Sequence, residues 1–195
     1  MPDGAEPFRH ETARLVLRDW RNEDWPEFWR LTNTPAVMRW LGREANAQTR
    51  EAARARVERY ARDYGHTFWA LERMPDGGHL SGEILGFCGL KRANVDGSPV
   101  SGMPEIGWRL REDAWGCGYA KEAAMASLDL GFGRFGYDEI VALTLEGNAA
   151  SWGLMKRLGM RRRKDLDYID PNWPAEFNPN IVYSIAASAW KGADG

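Results

Sequence analysis

Residues 105–124 read EIGWRLREDAWGCGYAKEAA. Glu105–Leu110 has the make-up of a strand, Asp113–Gly118 forms a short turn holding Gly116 and Gly118, and the chain turns helical from Tyr119 onward. Glycine adopts positive φ without strain and lets a ligand approach the backbone closely. The first N–H groups of a helix have no partner inside it, and they sit at the positive end of the helix dipole. A glycine-rich turn between a strand and a helix is therefore a cradle for an anion, and a phosphate is the expected one.

Two familiar phosphate motifs are excluded. No Gly-Lys-Ser/Thr follows the glycines, as a P-loop requires. Lys121 stands where a dinucleotide-binding turn needs its third glycine. A literal GxGxxG occurs at Gly131, Gly133 and Gly136, but it follows a helix and precedes a strand, the reverse of the required order. Those glycines are expected to mark helix fraying and a C-terminal stop, with Gly136 near the C′ position.

Outward from this stretch, the pattern alternates strands and helices. Residues 15–20 open a strand; Asn22 or Asp24 is a candidate cap for a helix carrying Trp25, Phe28, Trp29 and Thr32 at helical spacing. Ala53, Val57, Tyr60 and Tyr64 form one apolar stripe of an amphipathic helix over residues 48–63. Strands at 67–72, 84–91 and 104–110 are separated by turn-rich segments and read as a meander. Beyond the helix at Tyr119, Ile140–Leu145 (IVALTL) reads as a strand buried on both faces, so strand, helix and strand make a βαβ unit. A helix over 148–158, a strand start at 160–163, a proline-containing loop and a last strand at 181–187 follow. With no repeat and no linker, the expectation is one α/β domain with a mixed sheet, preceded by a loose tail over residues 1–8.

Composition narrows the function classes. A chain of 195 residues with 44% hydrophobic and 28% charged residues is globular and long enough for a core. A net charge of −2 gives no general attraction to nucleic acid or anionic membranes. No apolar run reaches the roughly 20 residues of a membrane span, and the start lacks a secretory pattern. Two distant cysteines, Cys88 and Cys117, argue against a disulfide framework and for a cytoplasmic protein. The three histidines show no metal-ligand spacing with the cysteines, so no metal is expected.

EIGWRL followed by AWGCGYAKEA resembles the acetyl-CoA-binding segment of the GNAT N-acetyltransferases, in particular the RimJ/RimL-like branch. ETARLVLRDW at 11–20, LEGNAASWGLMKRLGM at 145–160 and VYSI at 182–185 agree with it, so the resemblance covers about residues 9–190. It implies a single GNAT-like domain: a twisted, mostly antiparallel mixed sheet with helices on both faces. It implies an enzyme that moves an acetyl group from acetyl-CoA to a primary amine, a protein N-terminal α-amine being favoured by that branch. Small-molecule amines such as polyamines or antibiotics, and a catalytically silent acyl-CoA-binding module, stay open beside it. Dimerisation is an expectation from the family alone.

The resemblance also assigns residues. The amides of Gly116, Cys117, Gly118, Tyr119 and Ala120 would hold the CoA pyrophosphate. Asp113 departs from the Gln or Arg usual in that turn, and its acid would have to be turned away. Trp108, Arg109 and Leu110 would lie along the pantetheine arm, with Asn148 facing the same arm. Ser151 would give a proton to the leaving thiolate; as plain residues, Asn148 is also a good N-cap and Ser151 a first-turn helix residue. Glu105 is either a strand-end carboxylate in water or the general base for the acceptor amine. Tyr119, Tyr168 and Tyr183 are further proton-transfer candidates, and Lys121 and Arg157 candidates for phosphate contact. Asp165, Asp167 and Asp170 with Trp173 are either loop acids or an acidic rim for a cationic amine. Cys117 is expected to matter through its backbone rather than as a nucleophile.

Overall fold

The computed structural model describes residues 6–171 and 173–192. Residues 1–5 of the expected tail lie outside them. Phe8, at that tail's end, stacks on Trp69 at 4.4 Å and donates its N–H to Asp19. The chain makes two compact units, one of residues 1–89 with 108–123, the other of 90–107 with 124–195.

In the first unit, β1 (Arg9–Glu11), β2 (Leu15–Arg18), β3 (Phe68–Arg73) and the start of β4 (Ile84–Arg92) pair antiparallel in sequence order. Every residue of β2 is buried, so Arg18 must carry its own compensation. Its guanidinium forks onto Asp24 at 2.7 and 2.8 Å and reaches Glu72 at 2.7 Å. Asp24 opens α1 (Asp24–Thr32) and also accepts the Arg21 N–H. The expected capping residue thus works from inside the first turn, because its side chain is committed to the buried arginine. Trp25, Phe28 and Trp29 face the core, and Trp20 stacks on Trp25 at 4.1 Å. Trp20 lies past the strand end rather than in it, its indole donating to the Phe68 carbonyl. The short α2 (Pro35–Met38) is capped by Thr34, and α3 (Ala47–Tyr64) by Asn46. Only Tyr60 of the expected α3 stripe is fully buried, and Tyr64 is 45% exposed.

In the second unit, β6 (Glu139–Leu145) pairs antiparallel with β8 (Asn180–Ala186) over its whole length. The two-residue β7 (Arg161–Arg162) covers the other edge of β8, and α5 (Ala149–Arg157) follows β6. β5 (Pro104–Leu110) meets β6 in parallel at Glu105 and Val141, the closure expected of a βαβ crossover through α4 (Tyr119–Asp129). The strands run β1-β2-β3-β4 in the first unit and β5-β6-β8-β7 in the second; only the β5–β6 step among these pairings is parallel, so the sheet is mixed and mostly antiparallel. Among the described residues no helix is long and apolar enough to cross a membrane.

The glycines after α4 do not fray. Leu130–Arg134 continues the helix as a π turn, and Phe135 N–H reaches the Leu130 carbonyl at 3.0 Å. Gly131 is buried there, and a Cβ on it would stand 2.5 Å from Ile140 Cδ1, so close packing explains this glycine. Gly136 has φ +64°, as expected of a residue just past a helix end.

Gly86 is closely packed: φ is +143°, and a Cβ would fall 2.0 Å from the Arg109 carbonyl oxygen. Gly77 shares a positive φ (+78°) but has nothing within 4 Å. In urea unfolding, Gly86→Ala is expected to lose more than about 3 kcal/mol, against about 1–2 kcal/mol for Gly77→Ala. Equal losses would show that the β4 backbone yields at that approach.

Candidate active site

β5 ends at Leu110 and the chain tightens into a 3-10 turn, Glu112–Ala114. The Trp115 indole donates back to the Leu110 carbonyl at 3.0 Å, which fixes where the turn starts. Gly116 and Gly118 then take φ +74° and +82°, and α4 begins at Tyr119. Alternating left-handed residues of this kind turn successive N–H groups toward one side, a nest for an anion. Among the described residues no group accepts from the N–H of Gly116, Cys117, Gly118, Tyr119 or Ala120. A Cβ at Gly116 would meet nothing within 4 Å, so the space beside the turn is open.

The turn is held by residues far away in sequence. Glu122, on the first turn of α4, accepts from Thr12 Oγ1 (2.6 Å), Arg14 N–H (2.8 Å) and Arg14 Nε (2.7 Å). Arg14 Nη1 donates to the Cys117 carbonyl at 3.1 Å, and its guanidinium lies 4.8 Å from the Tyr119 ring centre. The buried Tyr119 hydroxyl accepts from Arg73 Nε at 3.2 Å and donates to the His79 carbonyl at 3.3 Å. Arg73 in turn donates to the Arg14 carbonyl. Tyr119 is therefore occupied as a structural anchor. Arg14 and Glu122 were not singled out from sequence, because a contact spanning 108 residues leaves no local pattern.

Asp113 is answered by its neighbour. Arg111 forks onto it at 2.5 and 2.7 Å and also holds Glu83. The Arg111 hydrogen bond holds the Asp113 carboxyl below its ordinary range. The acid is half exposed, as the expected turn toward solvent requires, and is ion-paired besides.

Along β5, Trp108 is half-buried and Leu110 buried. Arg109 is buried too, packed on α1 with its guanidinium 5.1 Å from the ring centres of both Phe28 and Trp29. Glu105 is not a strand-end carboxylate in water: it is 8% exposed and bonded to Lys91 Nζ at 2.5 Å. Tyr168 feels this carboxylate. Burial first, then the charges of Glu105 and Asp170, push its phenol above the ordinary tyrosine range. Tyr168 therefore stays protonated at neutral pH.

In the second unit Asn148 caps α5, accepting the Ser151 N–H on Oδ1 at a long 3.4 Å. Both residues are half-buried. Arg162 forks onto Asp167, and Arg163 binds Asp165 and Glu139. Asp165 and Asp167 are thereby spoken for by Arg163 and Arg162. Tyr183 is buried with Arg162 over its ring, while Lys121 and Arg157 are exposed. Among the described residues no disulfide forms; Cys88 is buried and Cys117 partly so.

Residues 14–161 match the family model described as the acetyltransferase (GNAT) domain. The chain belongs to the GNAT acetyltransferase family. It is 34% identical over 157 residues to uncharacterized protein YkkB of Bacillus subtilis, covering 80% of this chain and 86% of that one. It is 30% identical to the uncharacterized N-acetyltransferase YnaD of the same organism, over 92% and 97% of the two chains. Among solved structures it resembles an acetyltransferase from Agrobacterium tumefaciens, with TM-score 0.73 at 23% identity over 91% and 94% of the chains. A spermidine N-acetyltransferase from Vibrio cholerae, in complex with CoA and spermine, has TM-score 0.70 at 15% identity over 91% and 98%.

The protein is thus a GNAT-fold acyltransferase, and the family uses acetyl-CoA to acetylate an amine. The residues present fit that group: positive-φ glycines, open space at Gly116 and unpartnered amides at a helix start suit a diphosphate. The fixity of this GNAT turn rests on Glu122. Replacing it by Ala leaves three donors without their acceptor, and urea unfolding is expected to show a loss of about 2–3 kcal/mol. A loss below about 0.5 kcal/mol would mean that the strap holds nothing in place.

Proposed function

We propose that the acceptor is a protein N-terminal α-amine and that the glycine turn supplies the diphosphate site. The unpartnered N–H groups of residues 116–120 carry the second part. The first rests on the resemblance to the RimJ/RimL-like branch and on the state of Glu105. An amine of pKa about 10.4 costs about 4–5 kcal/mol to neutralise at pH 7, an α-amine of pKa about 8 only about 1. Glu105 already accepts from the Lys91 ammonium on one oxygen, and an α-amine asks the least of whatever group takes its proton.

When bound, acetyl-CoA supplies an acetyl group as a thioester open to attack by a neutral amine. Backbone groups of Trp108, Arg109 and Leu110 would orient the pantetheine arm. Glu105 would take the proton of the attacking amine on Oε1, the oxygen that Lys91 does not bond. Ser151 Oγ–H would protonate the departing thiolate as the C–S bond breaks. The main saving comes from holding both reactants in place, and general acid help adds a factor of about 10²–10⁴.

The test is release of free CoA thiol with peptides of varied N-termini, polyamines, aminoglycosides and free amino acids. Peptide-dependent release is expected, abolished by Gly118→Val; release with polyamines alone would refute the acceptor assignment. Ser151→Ala should lower kcat about 10²-fold with little change in the KM for acetyl-CoA. Cys117→Ala should turn over almost unchanged. A loss of several orders of magnitude with intact cofactor binding would instead indicate an acyl-cysteine route. Stabilisation by acetyl-CoA without turnover of any amine would favour a silent binding module.

A further inference from the structure

Among the described residues four arginines are buried: Arg18, Arg73, Arg109 and Arg111. A guanidinium withdrawn from water costs several kcal/mol unless an acid and good hydrogen bonds answer it. Three are answered in that way. Arg18 holds Asp24 and Glu72, Arg73 holds Asp76, and Arg111 holds Glu83 and Asp113.

Arg109 is the exception. It is 9% exposed, and among the described residues no carboxylate pairs with it. Its one hydrogen bond runs from Nη2 to the Thr32 carbonyl at 2.8 Å, at the last turn of α1. The negative end of the helix dipole and the faces of Phe28 and Trp29 soften the charge. Nε is buried with no partner at all. Burial alone pulls the guanidinium down to about 10, which still leaves it cationic at neutral pH.

A merely structural arginine at this spot would be expected to use Nε or to carry an acid, as its three counterparts do. Methionine or leucine would fill the same space against two aromatic rings without the desolvation cost. A buried cation with a spare N–H, sited on the strand next to the glycine turn, is a group awaiting an anion. Carboxylate is the matching shape, because the guanidinium fork meets two oxygens in one plane.

We propose that Arg109 is the seat for a carboxylate borne by the acceptor, so that the enzyme selects amines carrying an acid near the reacting nitrogen. The proposal rests on the acetyl-transfer reading and narrows its substrate. An acidic side chain close to a peptide N-terminus and the carboxylate of a free amino acid present the same chemistry. Polyamines are disfavoured, since a cation brought to Arg109 would be repelled.

The test uses matched pairs differing only in the acid. Amidated peptides with Ser-Glu and Ser-Gln N-termini form one arm, and free amino acids with their amides the other. Binding is measured by calorimetry on the intact protein with CoA present. At least tenfold tighter binding of the acidic member is expected, equalised in Arg109→Gln and partly kept in Arg109→Lys. The arm showing the larger ratio identifies the source of the carboxylate. In parallel, the side-chain Nε–H resonance that disappears in Arg109→Lys is followed by NMR while sodium formate or the peptides are added. It should move with formate and with each acidic ligand, and stay still with the amides. Equal binding of both members, or a preference that survives Arg109→Gln, would overturn the proposal. So would a resonance indifferent to formate and to every acidic ligand. Thiol release with amines regardless of a nearby acid would also overturn it while leaving the acetyltransferase reading intact. That reading fails separately if no amine releases thiol.

Discussion

The Glu122 carboxylate is the contact on which the glycine turn depends. It gathers the Thr12 hydroxyl, the Arg14 N–H and the Arg14 guanidinium onto the first turn of α4. Two glycines at positive φ are cheap to place there, but they are cheap to displace as well. A floppy nest would lose ordering entropy each time it closed on a ligand. The strap removes that cost by fixing the helix start to the β1–β2 connection, while Arg14 and Tyr119 pin the turn itself. Charge-assisted hydrogen bonds are about twice as strong as neutral ones, and this carboxylate receives such bonds while only 18% exposed.

Electrostatics sort the remaining charged groups into two kinds. Arg18, Arg111, Arg162 and Arg163 are paired with acids from their own surroundings, which makes them part of the framework. The Arg111–Asp113 pair has a local consequence: it keeps an acid beside the anion cradle from repelling what the cradle binds. On β5 the same sorting gives a different answer. Glu105 is buried against Lys91, and Arg109 is buried against aromatic rings and a helix end. A strand that carries both an acid and a base out of water pays for polarity that a structural strand would omit (Ile106 and Leu110 show what plain packing needs).

Much of the fold was legible because the chain uses strong local signals. Residues 104–110 are a strand from Pro104 to Leu110, and Tyr119 is the first helical residue, both as the sequence suggests. Gly116 and Gly118 announce a left-handed turn by themselves. Resemblance then supplied the family, which the matched domain bears out. The RimJ/RimL-like branch is a finer distinction than the family match draws. Long-range contacts were illegible. Nothing beside Glu105 in the chain announces Lys91 across the hairpin, so a buried ion pair looked like a solvated strand end. Gly131 looked like a helix stop, but its reason is the Ile140 side chain packed against it from the next strand. Asp165 and Asp167 read either as loop acids or as a rim for a cationic acceptor, and Arg163 and Arg162 bonded to them favour the first.

The central claim is that the backbone amides of residues 116–120 hold the diphosphate of CoA. Hydrogen exchange on the intact protein, with and without CoA, tests it at those amides. With no acceptor for them among the described residues, they should exchange fast in the free protein and slow by at least tenfold when CoA is added at saturation. Protection elsewhere with no change at residues 116–120, while CoA is demonstrably bound, would contradict it.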